Sequence, residues 1–411
     1  MKLLTVGYYN PGIGFTRVIE AVFKHLPETC SCHYLGIGYR GPVVEQEHYT
    51  LYPTNLAGGD PFAVEESARM INELDIDVLL IVNDIWIVSV YERILKQLNV
   101  TPKIIAYIPL DGKLNNPDLL VPLDFLDEIV VYTEDAKSEV LKQWSTRKSL
   151  DPSINLPSLQ MIPHGTACET FRPLHDLFET QDQSARFTLK KQAFPDRPEL
   201  WDAFIVLNAN RPAPRKRIDL TLEGFAKFVK DKPSNVKLLL HHHIAYPQEL
   251  ELMNSTIERL NLKDRVIHQQ TAENEFVTDD ELNLLYNACE VGINTSMGEG
   301  WGLVSLEHGA TGAAQITPGH GACKEIWEGY GTLLSPGSFY TPTHSPLLMA
   351  DVRINEIVDA LNALYNSNEY LIKECKIAQL RANNPEWQWN VIAEQWFARF
   401  SLPKSSRQFI V

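Results

Sequence analysis

Gly298-Glu299-Gly300-Trp301-Gly302-Leu303-Val304-Ser305-Leu306-Glu307 is the most informative stretch of this chain of 411 residues. Its glycines precede an apolar run that is typical of the start of a helix. A glycine-rich turn leading into a helix leaves backbone N–H groups without partners, and these suit a phosphate. Glu307 is placed to accept hydrogen bonds from ribose hydroxyls, and Glu299 to hold hydroxyls beyond the phosphate. The alternative for the same residues is an ordinary strand-to-helix loop with an acidic first turn.

Length and composition indicate a globular protein of two domains. A chain of 411 residues is long enough to bury two hydrophobic cores. The hydrophobic fraction of 44% and the charged fraction of 22% are those of an ordinary soluble protein. The net charge of −15 argues against nucleic acid as a partner, because phosphate backbones select for basic surfaces.

The same sequence indicates a cytoplasmic protein. No apolar run approaches the length of a membrane span, and Met1–Val6 is typical of a first strand and lacks the long apolar stretch of a secretory signal. The cysteines show no zinc-type spacing, so we interpret them as reduced thiols. They are Cys30, Cys32, Cys168, Cys289, Cys323 and Cys375.

Apolar strand-like runs alternate with helical stretches in two successive series, which predicts two doubly wound α/β domains. The first series has strands at Leu3–Gly7, Val78–Val82, Ile104–Ile108 and Ile129–Tyr132, with helices at Thr16–His25 and Pro61–Leu74. The second has strands at Phe204–Asn208, Val236–His241, Val266–His268 and Val291–Asn294, with helices at Leu220–Lys230, Pro247–Leu260 and Asp280–Ala288. The polar stretch Leu174–Glu199 is expected to link the domains. Open parallel sheets bind ligands beyond the carboxyl ends of their strands, so we expect the site there.

Four further stretches carry a family resemblance. They are Asn10–Arg17, a glycine turn into a helix; Ile162–Thr166 with Phe171–Pro173; Asn208–Arg211 with Lys216–Asp219 and Gly224–Phe225; and Asp280–Leu282, Tyr286–Glu290 and Ser296, which precede the opening stretch. Taken in this order, they resemble the retaining GT-B glycosyltransferases of family 4 over nearly the whole chain. A virus-encoded member of that family is compatible with the same pattern.

The resemblance implies a fold and a domain layout. It implies a GT-B architecture, in which two Rossmann-like, doubly wound domains face each other across a deep cleft. Residues 1–190 would form the acceptor-side domain, completed by a C-terminal helix at about 386–411 that crosses back. Residues 200–385 would form the domain that binds the nucleotide-sugar donor.

The resemblance also implies roles for individual residues. Breaking the bond between the sugar and the phosphate develops negative charge on the departing diphosphate, which fixed cations and backbone dipoles stabilise. Arg211 and Lys216 would supply those cations, and Glu299 would orient the sugar. The remaining donor-binding residues would be Gly14, Asp111, Trp301, Gly302, Leu303, Val304 and Glu307. Many members of the family have a histidine where this chain has Asp111, and Trp301 stands where a phenylalanine is more common.

No metal or other cofactor is expected, because two cations already face the diphosphate. Asp75-Ile76-Asp77 matches a metal-binding Asp-x-Asp pattern but precedes a strand at its amino end, away from the expected site. The run His241–His243 ends a strand on the functional side of the sheet. Adjacent strand residues point to opposite faces, which argues against a zinc site there and leaves a ligand-lining role for one of them.

The sequence therefore predicts a retaining glycosyltransferase that moves a hexose from a nucleotide diphosphate-sugar to a hydroxyl acceptor on a glycan or other glycoconjugate. GDP-mannose is the favoured donor and UDP-glucose the next. The alternatives are a nucleotide-sugar epimerase of the same fold and a non-catalytic nucleotide-sugar-binding protein. An NAD-dependent enzyme fits least, because the chain does not open with a full G-x-G-x-x-G motif. The oligomeric state stays open, a homodimer included.

Overall fold

A computed structural model describes residues 1–54, 58–95, 98, 102–174, 183–242, 244, 247–269 and 277–404. The chain divides into two compact units. The first unit comprises Met1–Gly165 together with Glu386–Val411, and the second comprises Thr166–Pro385. No helix among the described residues is long and apolar enough to cross a membrane.

The first unit is built on an eight-stranded sheet with the order β3-β4-β2-β1-β5-β6-β7-β8. Its strands are β1 (Lys2–Tyr8), β2 (Ser31–Ile37), β3 (Val44–Glu45), β4 (Thr50–Pro53), β5 (Val78–Val82), β6 (Lys103–Ile108), β7 (Glu128–Val131) and β8 (Ser158–Met161). Its helices up to this point are α1 (Gly14–His25), α2 (Val64–Leu74), α3 (Ile85–Val88), α4 (Glu92–Leu95) and α5 (Glu134–Leu150). All neighbouring strands pair in parallel except β3 and β4.

The second unit contains a six-stranded parallel sheet with the order β11-β10-β9-β12-β13-β14. Its helices are α6 (Gln183–Ala193), α7 (Ile218–Phe228), α8 (Pro247–Arg259), α9 (Asp279–Asn287), α10 (Leu303–Ala310), α11 (Gly321–Trp327), α12 (Ile354–Asn366) and α13 (Asn368–Ala382). Its strands are β9 (Phe204–Asn208), β10 (Val236–His241), β11 (Val266–Gln269), β12 (Val291–Ile293), β13 (Ala314–Pro318) and β14 (Thr332–Leu334). A separate antiparallel hairpin joins β15 (Pro336–Tyr340) to β16 (Met349–Val352).

The last helix, α14 (Trp389–Ser401), belongs to the first unit. The Trp396 ring lies 4.8 Å from the ring of Tyr107 on β6. The ammonium of Lys103 donates to the Arg399 carbonyl at 2.6 Å. Arg399 in turn donates to the buried Glu128 carboxylate at 2.7 Å. An aromatic contact and a buried charge network therefore hold the C-terminal helix on this sheet.

The boundary between the units lies at Gly165 and not at residue 190. The stretch Leu174–Glu199, which the sequence suggested was only a polar link, contains α6. The Arg186 guanidinium donates to the carbonyls of Asn287, Cys289 and Gly312 at 2.6–3.1 Å. The buried Lys190 pairs with Glu290. Helix α6 is thus anchored in the second unit by charged side chains, which is why it lacks an apolar periodicity that the sequence could reveal.

The strand order of the second unit determines where a ligand can bind. Strand β10 extends the sheet from β9 in one direction, and β12 extends it in the other. The direction in which successive strands are added to the sheet therefore reverses between β9 and β12. Ligands of open parallel sheets bind outside the carboxyl ends of the strands at this point, because the two connections leave toward opposite faces and open a crevice.

Candidate functional site

Two loops leave the carboxyl ends of β9 and β12. Between their origins, the buried Asn208 side chain donates to the Thr221 hydroxyl at 3.0 Å. Thr221 and Thr295 share a hydrogen bond of 2.7 Å. The Thr295 hydroxyl also lies 2.8 Å from the Arg217 carbonyl, at the start of α7. These buried contacts fix the two loops relative to each other, and with them the short 3-10 turn Pro214–Lys216.

The Glu299 carboxylate is the centre of the site. Its Oε1 accepts hydrogen bonds from the Asn294 amide at 3.0 Å and from the Ser296 hydroxyl at 2.7 Å. The Lys216 ammonium pairs with the same oxygen. The Arg215 guanidinium lies 3.2 Å from Oε2. One buried carboxylate therefore gathers two cations from the β9 loop and two neutral donors from the β12 loop.

These contacts determine the charge of Glu299. Burial alone would raise the pKa of its carboxyl, since only 6% of the residue is exposed. The charges of Lys216 and Arg215, with hydrogen bonds from Lys216 and Ser296, outweigh burial and hold this pKa well below its usual range. Glu299 is therefore ionised at neutral pH. The cluster as a whole carries one excess positive charge.

The glycine turn before α10 leaves the amides at the start of the helix open. Gly302 has a φ of 101°, in the left-handed region that glycine adopts without strain. The Ser305 N–H donates back to the Gly302 carbonyl at 3.1 Å. Among the described residues, the N–H groups of Leu303 and Val304 have no acceptor. These two amides and the positive end of the helix form a place suited to an anion.

Trp301 and Glu307 lie on either side of that turn. Trp301 is buried, with 4% of the residue exposed. Glu307, the fifth residue of α10, is 8% exposed. Its Oε2 accepts a long hydrogen bond of 3.4 Å from the Tyr286 hydroxyl on α9.

The other residues that the sequence assigned to the donor site are Arg211 in the second unit and Gly14 and Asp111 in the first unit. The exposed Arg211 side chain has no hydrogen bond or ion pair among the described residues. Gly14 is the exposed first residue of α1 in the first unit, and in that loop the positive φ belongs to Gly12. Asp111 follows β6 in the first unit and is half-buried.

The histidine run and the Asp-x-Asp pattern also have defined places. Burial lowers the pKa of His242 to about 3, helped by His268 and His241, so its ring is neutral. His243 lies outside the described residues. Asp75 ends α2, and Asp77 accepts the Lys2 backbone N–H at 2.7 Å. Within the described ranges, no group of three or more His, Cys, Asp or Glu side chains is arranged to hold a metal ion.

Sequence reasoning assigned no role to Arg215 or Asn294, and it named Ser296 only as part of the family pattern. The run Arg215-Lys216-Arg217 offers three adjacent cations, and only the resemblance selected Lys216 among them. The structure directs Arg217 elsewhere, to Asp219 and Asp351. The available signal in the sequence was a run of basic residues together with a glutamate in a separate motif. The sequence does not show which residues of the run contact that glutamate.

The comparisons with known proteins agree on the class of protein. Residues 190–345 match the family described as "Glycosyl transferases group 1". The serotype-specific mannosyltransferase WbdA of Escherichia coli is 29% identical over 139 residues, which cover 33% of this chain and 16% of that protein. The mannosylfructose-phosphate synthase of Agrobacterium fabrum is 26% identical over 175 residues, which cover 42% of this chain and 35% of that protein. The chain thus spans only about a sixth to a third of the curated relatives that it matches.

Solved structures show the same fold over nearly the full length. The sucrose-phosphate synthase of Thermosynechococcus elongatus superimposes with a TM-score of 0.71 at 17% identity, covering 97% of this chain and 98% of that one. HepE of Anabaena, in complex with UDP-glucose, gives a TM-score of 0.70 at 14% identity, with coverages of 98% and 99%. This chain therefore has a GT-B fold, and its residues 190–345 match the group 1 glycosyltransferase family.

Proposed function

We propose that the protein is a retaining glycosyltransferase that moves a hexosyl unit from a nucleotide diphosphate-sugar to a hydroxyl group of an acceptor. The observation that carries the proposal is the cluster of Lys216, Arg215 and Glu299 beside the open amides of Leu303 and Val304. It lies at the switch point of the sheet, within the residues that match the glycosyltransferase family.

The cluster suits the chemistry of a departing diphosphate. The bond to the sugar lengthens as negative charge accumulates on the phosphate oxygens. A lysine, an exposed arginine and two backbone amides can stabilise that charge without a general acid from the protein. Lys216, Arg211, Leu303 and Val304 take these roles in the proposal. The acceptor proton passes to the departing phosphate, so attack and departure occur on the same face of the sugar and its configuration is retained.

Glu299 and Glu307 then bind the two ends of the donor. Ionised Glu299, held by four donors, is a rigid acceptor for sugar hydroxyls. Glu307, on the first turns of α10, is placed for the ribose hydroxyls. Trp301 and Gly302 form the turn between Glu299 and Glu307. We also propose donor-binding roles for Gly14 and Asp111, as the resemblance implies. In this proposal, the diphosphate contacts of Lys216, Arg211, Leu303 and Val304 need no metal ion.

GDP-mannose is the first donor that we propose, and UDP-glucose the second. Two relatives in sequence are named for mannosyl chemistry, a mannosyltransferase and a mannosylfructose-phosphate synthase. One structural neighbour was solved with UDP-glucose bound. Calorimetric titration with a panel of nucleotide-sugars, followed by an assay for free nucleotide and anomeric product, tests the choice. Transfer with inversion at the anomeric carbon, or inversion at C2 without any acceptor, would contradict the proposal.

Glu307→Ala is expected to weaken donor binding more than it slows the reaction. Losing a charged acceptor of ribose hydrogen bonds should raise KM about tenfold or more, with kcat within about threefold of wild type. Steady-state donor hydrolysis measures both constants. Glu307→Gln, which keeps one acceptor oxygen, should give an intermediate KM. A fall in kcat at unchanged KM would instead place Glu307 at the reacting centre.

A further inference from the structure

We propose that Arg215 is a positioning residue that stays on Glu299 when Lys216 moves from Glu299 to the diphosphate of the donor. This inference rests on the proposed function, because it concerns the same site. It assigns different roles to Arg215 and Lys216, two adjacent cations that contact the same carboxylate in the structure.

The two carboxylate oxygens of Glu299 would lose different numbers of hydrogen-bond donors if Lys216 or Arg215 moved away. Oε1 accepts from Lys216 and also from Asn294 and Ser296, at 3.0 Å and 2.7 Å. It therefore keeps two hydrogen bonds when the lysine leaves. Among the described residues, Oε2 has Arg215 as its only donor, at 3.2 Å. Departure of Arg215 would leave a buried charged oxygen without a partner, which is costly.

Arg215 is also tied to the loop that carries Glu299 by further contacts. Its guanidinium donates to the Gly298 carbonyl at 2.9 Å. Its own backbone carbonyl accepts the Met297 N–H at 2.7 Å. The Nη1 group of Arg215 thus donates to two acceptors at once, the Gly298 carbonyl and Oε2 of Glu299, which fixes the guanidinium in place. The Lys216 ammonium, at the end of a flexible stem, is a point charge that can turn toward a new anion.

The consequence is electrostatic. A diphosphate that recruits Lys216 takes away one of the two cations that keep Glu299 ionised. Arg215 remains as the cation facing the buried carboxylate from the 3-10 turn, while Asn294 and Ser296 are neutral. Among the described residues, charged or titratable groups around these loops also include His320, whose Nε2 lies 2.8 Å from the Met297 carbonyl. Arg217, at the start of α7, pairs there with Asp351 of the hairpin. Arg215 thus keeps Glu299 charged, and fit to bind sugar hydroxyls, in the donor-bound state.

The pH profile of Arg215→Gln tests this role. In wild type, kcat for donor hydrolysis should change little between about pH 5 and pH 8, where carboxylates held by cations stay ionised. In Arg215→Gln, protonation of Glu299 in the donor complex should lower the ratio of kcat at pH 5 to kcat at pH 8 by about tenfold or more, because burial without a facing cation raises the pKa of a carboxyl above its usual range. Arg215→Lys should restore most of the wild-type profile, and Arg215→Met provides a second uncharged variant. The altered profile should also appear in the double variant Arg215→Gln/His320→Gln, which excludes that histidine as its source.

Binding of nucleoside diphosphate separates this role from a phosphate contact. Calorimetry with GDP and UDP should give Arg215→Gln an affinity within about threefold of wild type, whereas Lys216→Ala should lose about tenfold or more. Equal losses in the two variants, or an unchanged pH profile in Arg215→Gln, would overturn the inference. Wild-type protein that binds nucleoside diphosphate but turns over no donor would contradict the proposed function instead, and the binding arm alone would then test the two cations.

Discussion

Lys216→Ala is expected to lower kcat for donor hydrolysis and for transfer by about 10² to 10³, the effect of removing one charge-stabilising donor from a transition state. The ammonium pairs with the Glu299 carboxylate, and in the proposed donor complex it turns to the diphosphate. Alanine removes its charge while Arg215 keeps Glu299 ionised. The loss should therefore appear in the chemical step, and rapid-quench measurement of donor cleavage under saturating donor will detect it.

A surface lysine of the same unit provides the matched control. Lys263 is 70% exposed and pairs with Glu258 on the surface. Lys263→Ala should leave kcat and KM unchanged, because an exposed charge far from the reacting atoms contributes little. If Lys216→Ala cleaves the donor as fast as Lys263→Ala, Lys216 does not stabilise the departing diphosphate.

Glu299→Gln is expected to destabilise the second unit by about 3 kcal/mol at neutral pH, because removing one partner of a buried ion pair leaves the other charges uncompensated. The side chains of Glu299 and Lys216 are only 5% and 11% exposed. The variant should also lose most donor cleavage, since an amide binds sugar hydroxyls less strongly than a carboxylate. Chemical unfolding followed by tryptophan fluorescence measures the stability of the two proteins.

The stability difference should depend on pH in a defined direction. Because the pKa of Glu299 is depressed in the folded state, its stabilisation is fully present above the ordinary carboxyl pKa of about 4.3. It is lost as pH falls toward the folded value, since the unfolded chain then binds a proton that the folded chain resists. The gap between wild type and Glu299→Gln should thus narrow below about pH 5.

The surface pair again provides the comparison. Glu258→Gln breaks the exposed contact with Lys263 and should cost less than about 1 kcal/mol at any pH. A Glu299→Gln variant as stable as Glu258→Gln at neutral pH would contradict the account of the buried cluster. So would a stability gap that widens as the solution is acidified.

The strands buried on both faces were predictable, because such strands are continuous apolar runs. Val78–Val82 and Phe204–Asn208 begin and end as expected. Strands with a mixed composition were not found. Ser31–Ile37 includes serine, histidine and glycine, and Ala314–Pro318 buries Gln315 and Thr317. Polar side chains inside a sheet hide the strand from any reasoning based on hydrophobicity.

The site was predictable as far as its motifs reach. The glycine turn and the residues Lys216, Glu299 and Glu307 came from a family pattern with fixed spacing. Arg215 did not, because its role depends on a hydrogen bond to the Gly298 carbonyl across two loops that are 83 residues apart in the chain. This contact forms because β9 and β12 are neighbours in the sheet, which brings the loops that follow them together. A single sequence does not show which loops become neighbours in this way.

The most direct test of the diphosphate account is a crystal structure of the protein with GDP-mannose or UDP-glucose bound. We expect the diphosphate oxygens within hydrogen-bonding distance of the Lys216 ammonium and of the Leu303 and Val304 amides, with Arg215 still on Glu299. A diphosphate bound elsewhere on the second unit, with Lys216 left on Glu299, would contradict it.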